Sequence, residues 1–244
     1  MKNLVIVFCF IASQLISFKS YASESCPKKV EQLGAIYTIE TSGLNSETTK
    51  IKSNFELWRK GQDVLHINQL KQTTNQWHTL KNNSVRKVSY FDHYQKGIEF
   101  EPVASNKHHW QSKFQLVTEA QLANMTLIST KGQDCSRIEY YKFESKEQTI
   151  ELWWQPELQL AQKVITNEKE TITVWQLNKT IFSTDKIESV FKRTEHYKMT
   201  DYADIGDNES DPFLRKMIRL GFIDHAGSGF YDAQGNQLAN DHHH

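Results

Sequence analysis

Short segments in which apolar and polar residues alternate run through most of the chain. The stretch "GAIYTIETS" (34–42) is the first of them, and "TKIKSNFELWRKGQDVLHINQ" (49–69) contains two more on either side of a Lys-Gly-Gln-Asp turn. A period of two residues interrupted by a glycine turn is typical of an antiparallel β-hairpin. The stretch "SVRKVSYFDHYQKGIEFEP" (84–102) repeats the pattern and predicts a second hairpin.

A longer stretch of the same kind spans residues 136–180. It predicts four successive strands, with breaks at 145–147, 155–157 and 167–169. Turn signals at intervals of roughly ten residues are typical of an antiparallel meander rather than of alternating strands and helices. We therefore predict a mainly β chain.

Only two segments show the apolar spacing of a helix. The first is 110–125, in which Thr118 can restart or cap the helix. The second begins at Asp211-Pro212 and ends near Gly221. An aspartate can accept hydrogen bonds from the free amides of a first turn, and proline at the first helical position loses no bond. Glycine readily takes the left-handed conformation that ends many helices.

The segment "TIELWWQPELQLAQKVI" places aromatic residues before an acidic-proline turn between two strands. In this segment, and in its order of long hairpins, mid-chain helix and meander, the chain resembles the LolA/LolB/RseB-like group of periplasmic proteins over residues 30–195. The resemblance is architectural, and the acidic C-terminal segment departs from it. It implies an unclosed β-barrel with helices plugging its concave face. The expected fold is therefore mainly β (α+β): an antiparallel meander forming a half-open barrel, with a short covering helix and a C-terminal helix.

The first 22 residues have the three-part layout of a secretory signal peptide. Lys2 precedes an apolar run from Leu4 to about Ile16, and small residues lead up to Ala22. The run is shorter than the roughly 20 apolar residues of a membrane span, and an uncleaved anchor is the alternative. We expect a periplasmic protein with no transmembrane segment in the mature chain. The expected division is a signal peptide (1–22), a β-rich half-barrel domain (23–200), and an acidic loop, short helix and tail packed on the same domain (201–244).

The cysteine count agrees with export. Cys9 leaves with the signal, so the mature chain keeps Cys26 and Cys135. An even pair in an exported protein predicts one disulfide, with two free thiols as the alternative. Two of the 29 basic residues lie in the signal segment, which leaves 27 against 29 acidic ones. This balance gives no support for a nucleic-acid partner or for strong attraction to anionic membranes.

The segment 201–211 contains five acidic residues and no basic one. A helix cap at Asp211, with the other acids near the positive end of the helix dipole, explains most of this charge. An EF-hand starting at Asp207 fails, because Pro212 and Ile218 stand where the turn glycine and the bidentate glutamate belong. An irregular calcium site and a docking surface for a partner remain as alternatives to a solvated cap. The weak calcium candidates are Asp204, Asp207 and Glu209.

The sequence shows no catalytic constellation, and we expect no cofactor. The ten histidines include the neighbours His108 and His109 and a terminal run, but no His-Glu-x-x-His set. The stretch "HAGSGF" lacks the Gly-x-Ser-x-Gly spacing of a nucleophile elbow. A hydrolase that uses carboxylates of the 201–211 loop is a third hypothesis, which paired carboxylates without a known cleft do not support.

The tryptophans are the last candidates for function. Trp154 and Trp175 are expected on neighbouring strands, and Trp58 and Trp110 on other elements. The ordinary interpretation is an aromatic sheet core, and the functional one is an apolar groove lined by these four residues. Our leading hypothesis is an exported, non-enzymatic protein that binds an apolar small molecule, a lipid or a lipidated protein in the half-barrel. The alternative is a periplasmic accessory protein that docks a protein partner or holds calcium through the 201–211 loop.

Overall fold

The computed structural model describes residues 30–43, 50–208 and 211–219. Within them the strands are β1 (Gln32–Gly43), β2 (Ile51–Lys60), β3 (Asp63–Asn68), β4 (Thr73–Thr79), β5 (Ser84–Phe91), β6 (Lys96–Glu99), β7 (Val103–Ala104), β8 (Thr126–Lys131), β9 (Ile138–Glu144), β10 (Gln148–Gln155), β11 (Leu160–Glu168), β12 (Thr171–Ile181) and β13 (Lys198–Asp201). The helices are α1 (Lys107–Phe114), α2 (Glu119–Ala123), α3 (Thr184–Phe191) and α4 (Pro212–Arg219).

All thirteen strands belong to one sheet. Its order is β13-β6-β5-β4-β3-β2-β1-β12-β11-β10-β9-β8, and β7 pairs with β5. The pairings are antiparallel except that of β13 with β6, which is parallel. Among the described strands, β8 and β13 end the path and do not meet, so the sheet is open. The predicted fold, an antiparallel meander forming a half-open barrel, is confirmed.

The predicted strands and turns agree with this sheet. Both predicted hairpins form, and the first one turns at Gly61, whose φ of +60° is easily adopted by glycine. The four strands predicted in 136–180 are β9 to β12, joined by turns at the expected breaks. The sequence patterns did not single out β4, β7, β8 and β13. β8 is exposed along its whole length, so it has no apolar alternation to detect.

The two faces of the sheet bury different side chains. On β2, Phe55 and Leu57 point to one face and Trp58 points to the other, because side chains alternate along a strand. We call the first the covered face, since α1 and α2 lie over it. We call the second the opposite face, and α3 lies over that one.

The prediction of only two helical segments was wrong, because α3 is a further helix. The Ser183 side chain accepts a hydrogen bond from the Lys186 amide at its start. Ile187 and Phe191 pack against Trp58 on the opposite face. A helix of eight residues is unstable alone and depends on such tertiary contacts. The capping serine and the apolar residues four positions apart were the available signals.

The predicted mid-chain helix is divided in two. Leu116 has a φ of +67°, a left-handed conformation that interrupts a right-handed helix. The chain restarts at Thr118, whose side chain accepts from the Gln121 amide while the Gln121 side chain accepts from the Thr118 amide. The expected restart at Thr118 is confirmed.

The C-terminal helix starts as predicted. Asp211 Oδ1 accepts a hydrogen bond from the Phe213 amide at 2.8 Å, and α4 begins at Pro212. Phe213, Leu214 and Met217 pack with residues of β5 and β6. The expected end near Gly221 lies outside the described residues. In the part of the chain that the structure describes, no helix is long and apolar enough to cross a membrane.

Candidate functional site

Residues 107–123 lie across the covered face, and we call this segment the cover. It consists of α1, a linker and α2. The linker residues Leu116 and Val117 are 1% and 3% exposed and belong to the main apolar cluster. The backbone of Leu116 has the left-handed conformation, which costs free energy for a residue with a bulky side chain. The cover is thus an irregular plug with a strained centre.

Arg59 holds the cover to the sheet. Its buried guanidinium donates to four carbonyls: Nε to Phe114 at 2.6 Å, Nη1 to Leu158 at 2.8 Å and to Val30 at 3.3 Å, and Nη2 to Gln159 at 2.7 Å. Burial lowers the pKa of Arg59 to about 9, so it remains protonated at neutral pH. A buried charge needs such partners, and the four bonds tie the end of α1 to two other parts of the chain.

His66 makes a second connection to the same turn of α1. Its Nε2 lies 2.7 Å from the carbonyl oxygen of Lys113. A carbonyl can only accept, so Nε2 carries the proton and donates. Burial lowers the pKa of His66 to about 3, which keeps the ring neutral. The cover is therefore attached through two consecutive carbonyls at the end of α1.

Two lysines are also desolvated on the covered face. Nζ of Lys113 lies 5.3 Å from the ring centroid of Trp77, and Nζ of Lys87 lies 4.4 Å from that of Phe100. Burial lowers the pKa of each lysine to about 8, and the charge of Lys87 adds to the effect on Lys113. The desolvated lysines therefore give the interior of this face an excess of positive charge.

Aromatic rings form the centre of the covered face. The ring centroid of Trp175 is 5.0 Å from that of Phe55 and 5.8 Å from that of Tyr37. Trp154 is 4% exposed in the same cluster, and Trp110 of the cover packs against it. The structure thus brings three of the four predicted tryptophans together.

Trp58 is the fourth, and it lies on the opposite face. There it packs under α3, and its Nε1 donates to Glu56 at 2.8 Å. The expectation that Trp154 and Trp175 are on neighbouring strands was also wrong, because β11 lies between β10 and β12. The meander was predicted as consecutive strands, and the two tryptophans are two strands apart in it.

The acidic segment forms a separate recess of about 300 Å³ beside α4. Asp201, Asp204 and Asp211 line it together with Lys198. Asp211 also pairs with Lys96, with 2.6 Å between Oδ2 and Nζ. Among the described residues, no group of three metal-binding side chains could hold an ion. The Asp207 side chain and Glu209 lie outside the described residues.

The predicted cysteine pair is described at one end only. Cys135 lies in a short 3-10 turn between β8 and β9, and its carbonyl accepts from Gln155 Nε2 at 2.6 Å. Cys26 lies outside the described residues, so the disulfide stays a prediction.

Sequence reasoning missed the buried polar residues of the covered face. Arg59 lies an even number of residues from Phe55 and Leu57 on the same strand, so its side chain projects from the same buried face. A charged residue at such an inward position was a signal that the sequence offered. His66 likewise follows Val64 by two positions on β3. Lys113 had no such signal, because its burial depends on how α1 docks.

The fold and the site define an open antiparallel half-barrel with a plugged face. No protein-family model matches the chain, and no curated protein matches it. Similar solved structures include PNGF-II (TM-score 0.37, 14% identity, 77% of this chain and 33% of that one). A second is a LolA superfamily protein from Nitrosomonas europaea, with a TM-score of 0.27 and 9% identity over 66% of this chain and 93% of that one. A third is the Pseudomonas aeruginosa MucA/MucB complex, with a TM-score of 0.31 and 14% identity over 66% of this chain and 57% of that one.

These comparisons include the architectural group that the sequence resembled, since a LolA superfamily protein is among the matches. The chain spans about a third of the length of PNGF-II.

Proposed function

We propose that this is an exported, periplasmic, non-enzymatic protein that binds an apolar ligand, a lipid or the acyl chain of a lipidated protein, on the covered face. The ligand takes the place of the cover, whose apolar plug it imitates. The observation that carries the proposal is the linker, where Leu116 is buried in a left-handed conformation. Strain of this kind clusters at ligand clamps and switch regions.

The construction of the cover supports displacement. Its helices are only eight and five residues long, and α2 contributes no buried residue. Polar side chains of the cover, Gln111, Lys113 and Gln115, are buried with it. A segment whose helices are short and whose buried side chains are partly polar opens at a lower free energy than the sheet beneath it.

The surface beneath the cover suits an acyl chain. Each large apolar side chain that is fully buried contributes roughly 1.5–3 kcal/mol. A chain that contacts several of Tyr37, Phe55, Trp154 and Trp175 could therefore bind with micromolar affinity after the ordering costs are subtracted. Binding also relieves the strain at Leu116.

The test uses 1-N-phenylnaphthylamine, an uncharged apolar fluorophore, titrated into the purified mature protein. We expect micromolar binding, an increase in affinity of several-fold in Leu116→Ala, and a decrease in Trp154→Ala. The matched control is Leu65→Ala, because Leu65 is also 1% exposed but lies on the opposite face. Each Leu→Ala change costs about 2–5 kcal/mol of stability. Comparison of the two variants therefore distinguishes the effect of opening the cover from the effect of a general loss of stability. Equal affinities of the two leucine variants, or no binding by any of the proteins, would contradict the proposal.

A further inference from the structure

The hydroxyl of Tyr37 is a buried polar group on the covered face. Tyr37 is fully buried, and its Oη makes no hydrogen bond with any described residue. Buried polar side-chain atoms almost always have a partner, so each exception asks for an explanation. Burial raises the pKa of Tyr37, so the phenol keeps its proton and can donate a hydrogen bond. No described residue accepts this bond.

The charge on the same face points to the kind of acceptor. The buried residues of the described part include Arg59 and Lys113 but no aspartate or glutamate. The carboxylate that acts electrostatically on Arg59 is that of Glu31, which is exposed. Backbone carbonyls solvate the guanidinium but do not neutralise it. An anion would therefore be stabilised here, whereas a cation would not.

Tyr37 and Arg59 lie on the same side of a strand pair. Tyr37 is opposite Phe55, and Arg59 follows Phe55 by four residues, so both side chains project from the covered face. Arg59 Nε is bonded to the carbonyl of Phe114, the last residue of α1. Displacement of the cover removes this partner and leaves Nε available on the same face as the unpaired phenol, where the two groups interact electrostatically.

We propose that the ligand of the covered face is a long-chain carboxylate, whose head accepts a hydrogen bond from Tyr37 Oη and replaces the Phe114 carbonyl on Arg59 Nε. This inference rests on the proposed function and specifies the head of the ligand. The hydrocarbon chain lies along the aromatic cluster of Phe55 and Trp175, and the carboxylate supplies the acceptor and the negative charge that the buried side chains lack.

The binding experiment compares oleate, methyl oleate and 1-N-phenylnaphthylamine at submicellar concentrations. We expect the wild-type protein to bind oleate at least tenfold more tightly than methyl oleate, since the ester brings no charge to Arg59. We expect Tyr37→Phe to lose about tenfold in oleate affinity and to change far less in its affinity for the uncharged fluorophore, because the substitution removes the hydroxyl and keeps the ring.

A stability measurement complements it. The control is Tyr90→Phe, because the Tyr90 hydroxyl donates to Gln76 Oε1 at 3.2 Å. Loss of a bond that is made should lower the melting temperature, whereas loss of an unpaired hydroxyl should leave it unchanged or raise it. A drop in Tyr37→Phe as large as that in Tyr90→Phe would show a satisfied hydroxyl and overturn the inference.

The outcomes separate the two proposals. If the fluorophore binds the wild type but oleate and methyl oleate bind equally, or if Tyr37→Phe binds oleate as tightly as the wild type, the carboxylate head is wrong and the apolar site stands. If neither the fluorophore nor oleate binds, the proposed function fails, and this inference fails with it.

Discussion

At the scale of single residues, His66 couples the attachment of the cover to pH. Its neutral ring donates to the Lys113 carbonyl, and burial lowers its pKa from 6.5 to about 3. Between these two values the unfolded chain binds a proton that the folded protein does not. The contribution of His66 to stability is therefore complete above pH 6.5 and is lost as the pH falls toward 3. Arg59 and Lys113, the charges nearest to it, titrate above this range.

This predicts a loss of about 2 kcal/mol in the free energy of unfolding between pH 7 and pH 5 from His66 alone. Urea denaturation at the two pH values measures it. His66→Gln keeps a donor but cannot titrate, so its stability should depend less on pH by that amount. His108→Gln, at an exposed position on α1, is the control and should behave as the wild type. An unchanged pH dependence in His66→Gln would show that the ring is not held neutral.

At the scale of elements, α4 depends on its first turn. Asp211 caps the helix through the Phe213 amide and pairs with Lys96. The Lys96 bond, followed by the helix amides, holds the pKa of Asp211 below its usual value, so this stabilisation is lost in acid as the pH falls through that lowered pKa. A local motif of this kind can be identified in the sequence, because cap, proline and apolar positions are neighbours along the chain.

We predict that Asp211→Ala lowers the free energy of unfolding by about 1 kcal/mol, through loss of the cap. Asp211→Asn retains an acceptor for the Phe213 amide and should lose less. Chemical denaturation with and without millimolar calcium measures both effects, and we expect no large effect of calcium. A calcium-dependent rise of many degrees in melting temperature, abolished by Asp204→Asn or Asp207→Asn, would show that the 201–211 loop is a metal site.

At the scale of the whole molecule, Arg59 connects Val30 to the part of the chain that contacts Cys135. Val30 and Leu158 both accept from Arg59 Nη1, and Gln155, just before Leu158, donates to the Cys135 carbonyl. Cys26 precedes Val30 by four residues, which can span up to roughly 13 Å of extended chain. This arrangement supports the predicted disulfide.

We predict that mass spectrometry of the unreduced, exported protein finds Cys26 joined to Cys135. Closing so long a loop contributes about 4–5 kcal/mol in the chain-entropy model. Cys135→Ser should therefore lower the melting temperature, and reduction of the wild type should lower it equally. Complete alkylation of both thiols without a reductant would show that the bond does not form.

The sequence by itself determined most of the strands and the start of the C-terminal helix. Alternation and turn residues predicted both hairpins and the four strands of the meander, and Asp211-Pro212 predicted the start of α4. These signals are local, because a strand's period and a helix cap depend on residues close together in the chain. Only the tertiary structure decided what the sheet buries. β1 pairs with β12 across more than a hundred residues, and this pairing brings Tyr37 to Trp175, while the docking of α1 sets the partners of Arg59 and His66. Burial and hydrogen-bond partners of this kind arise from contacts between distant segments, which no local pattern records.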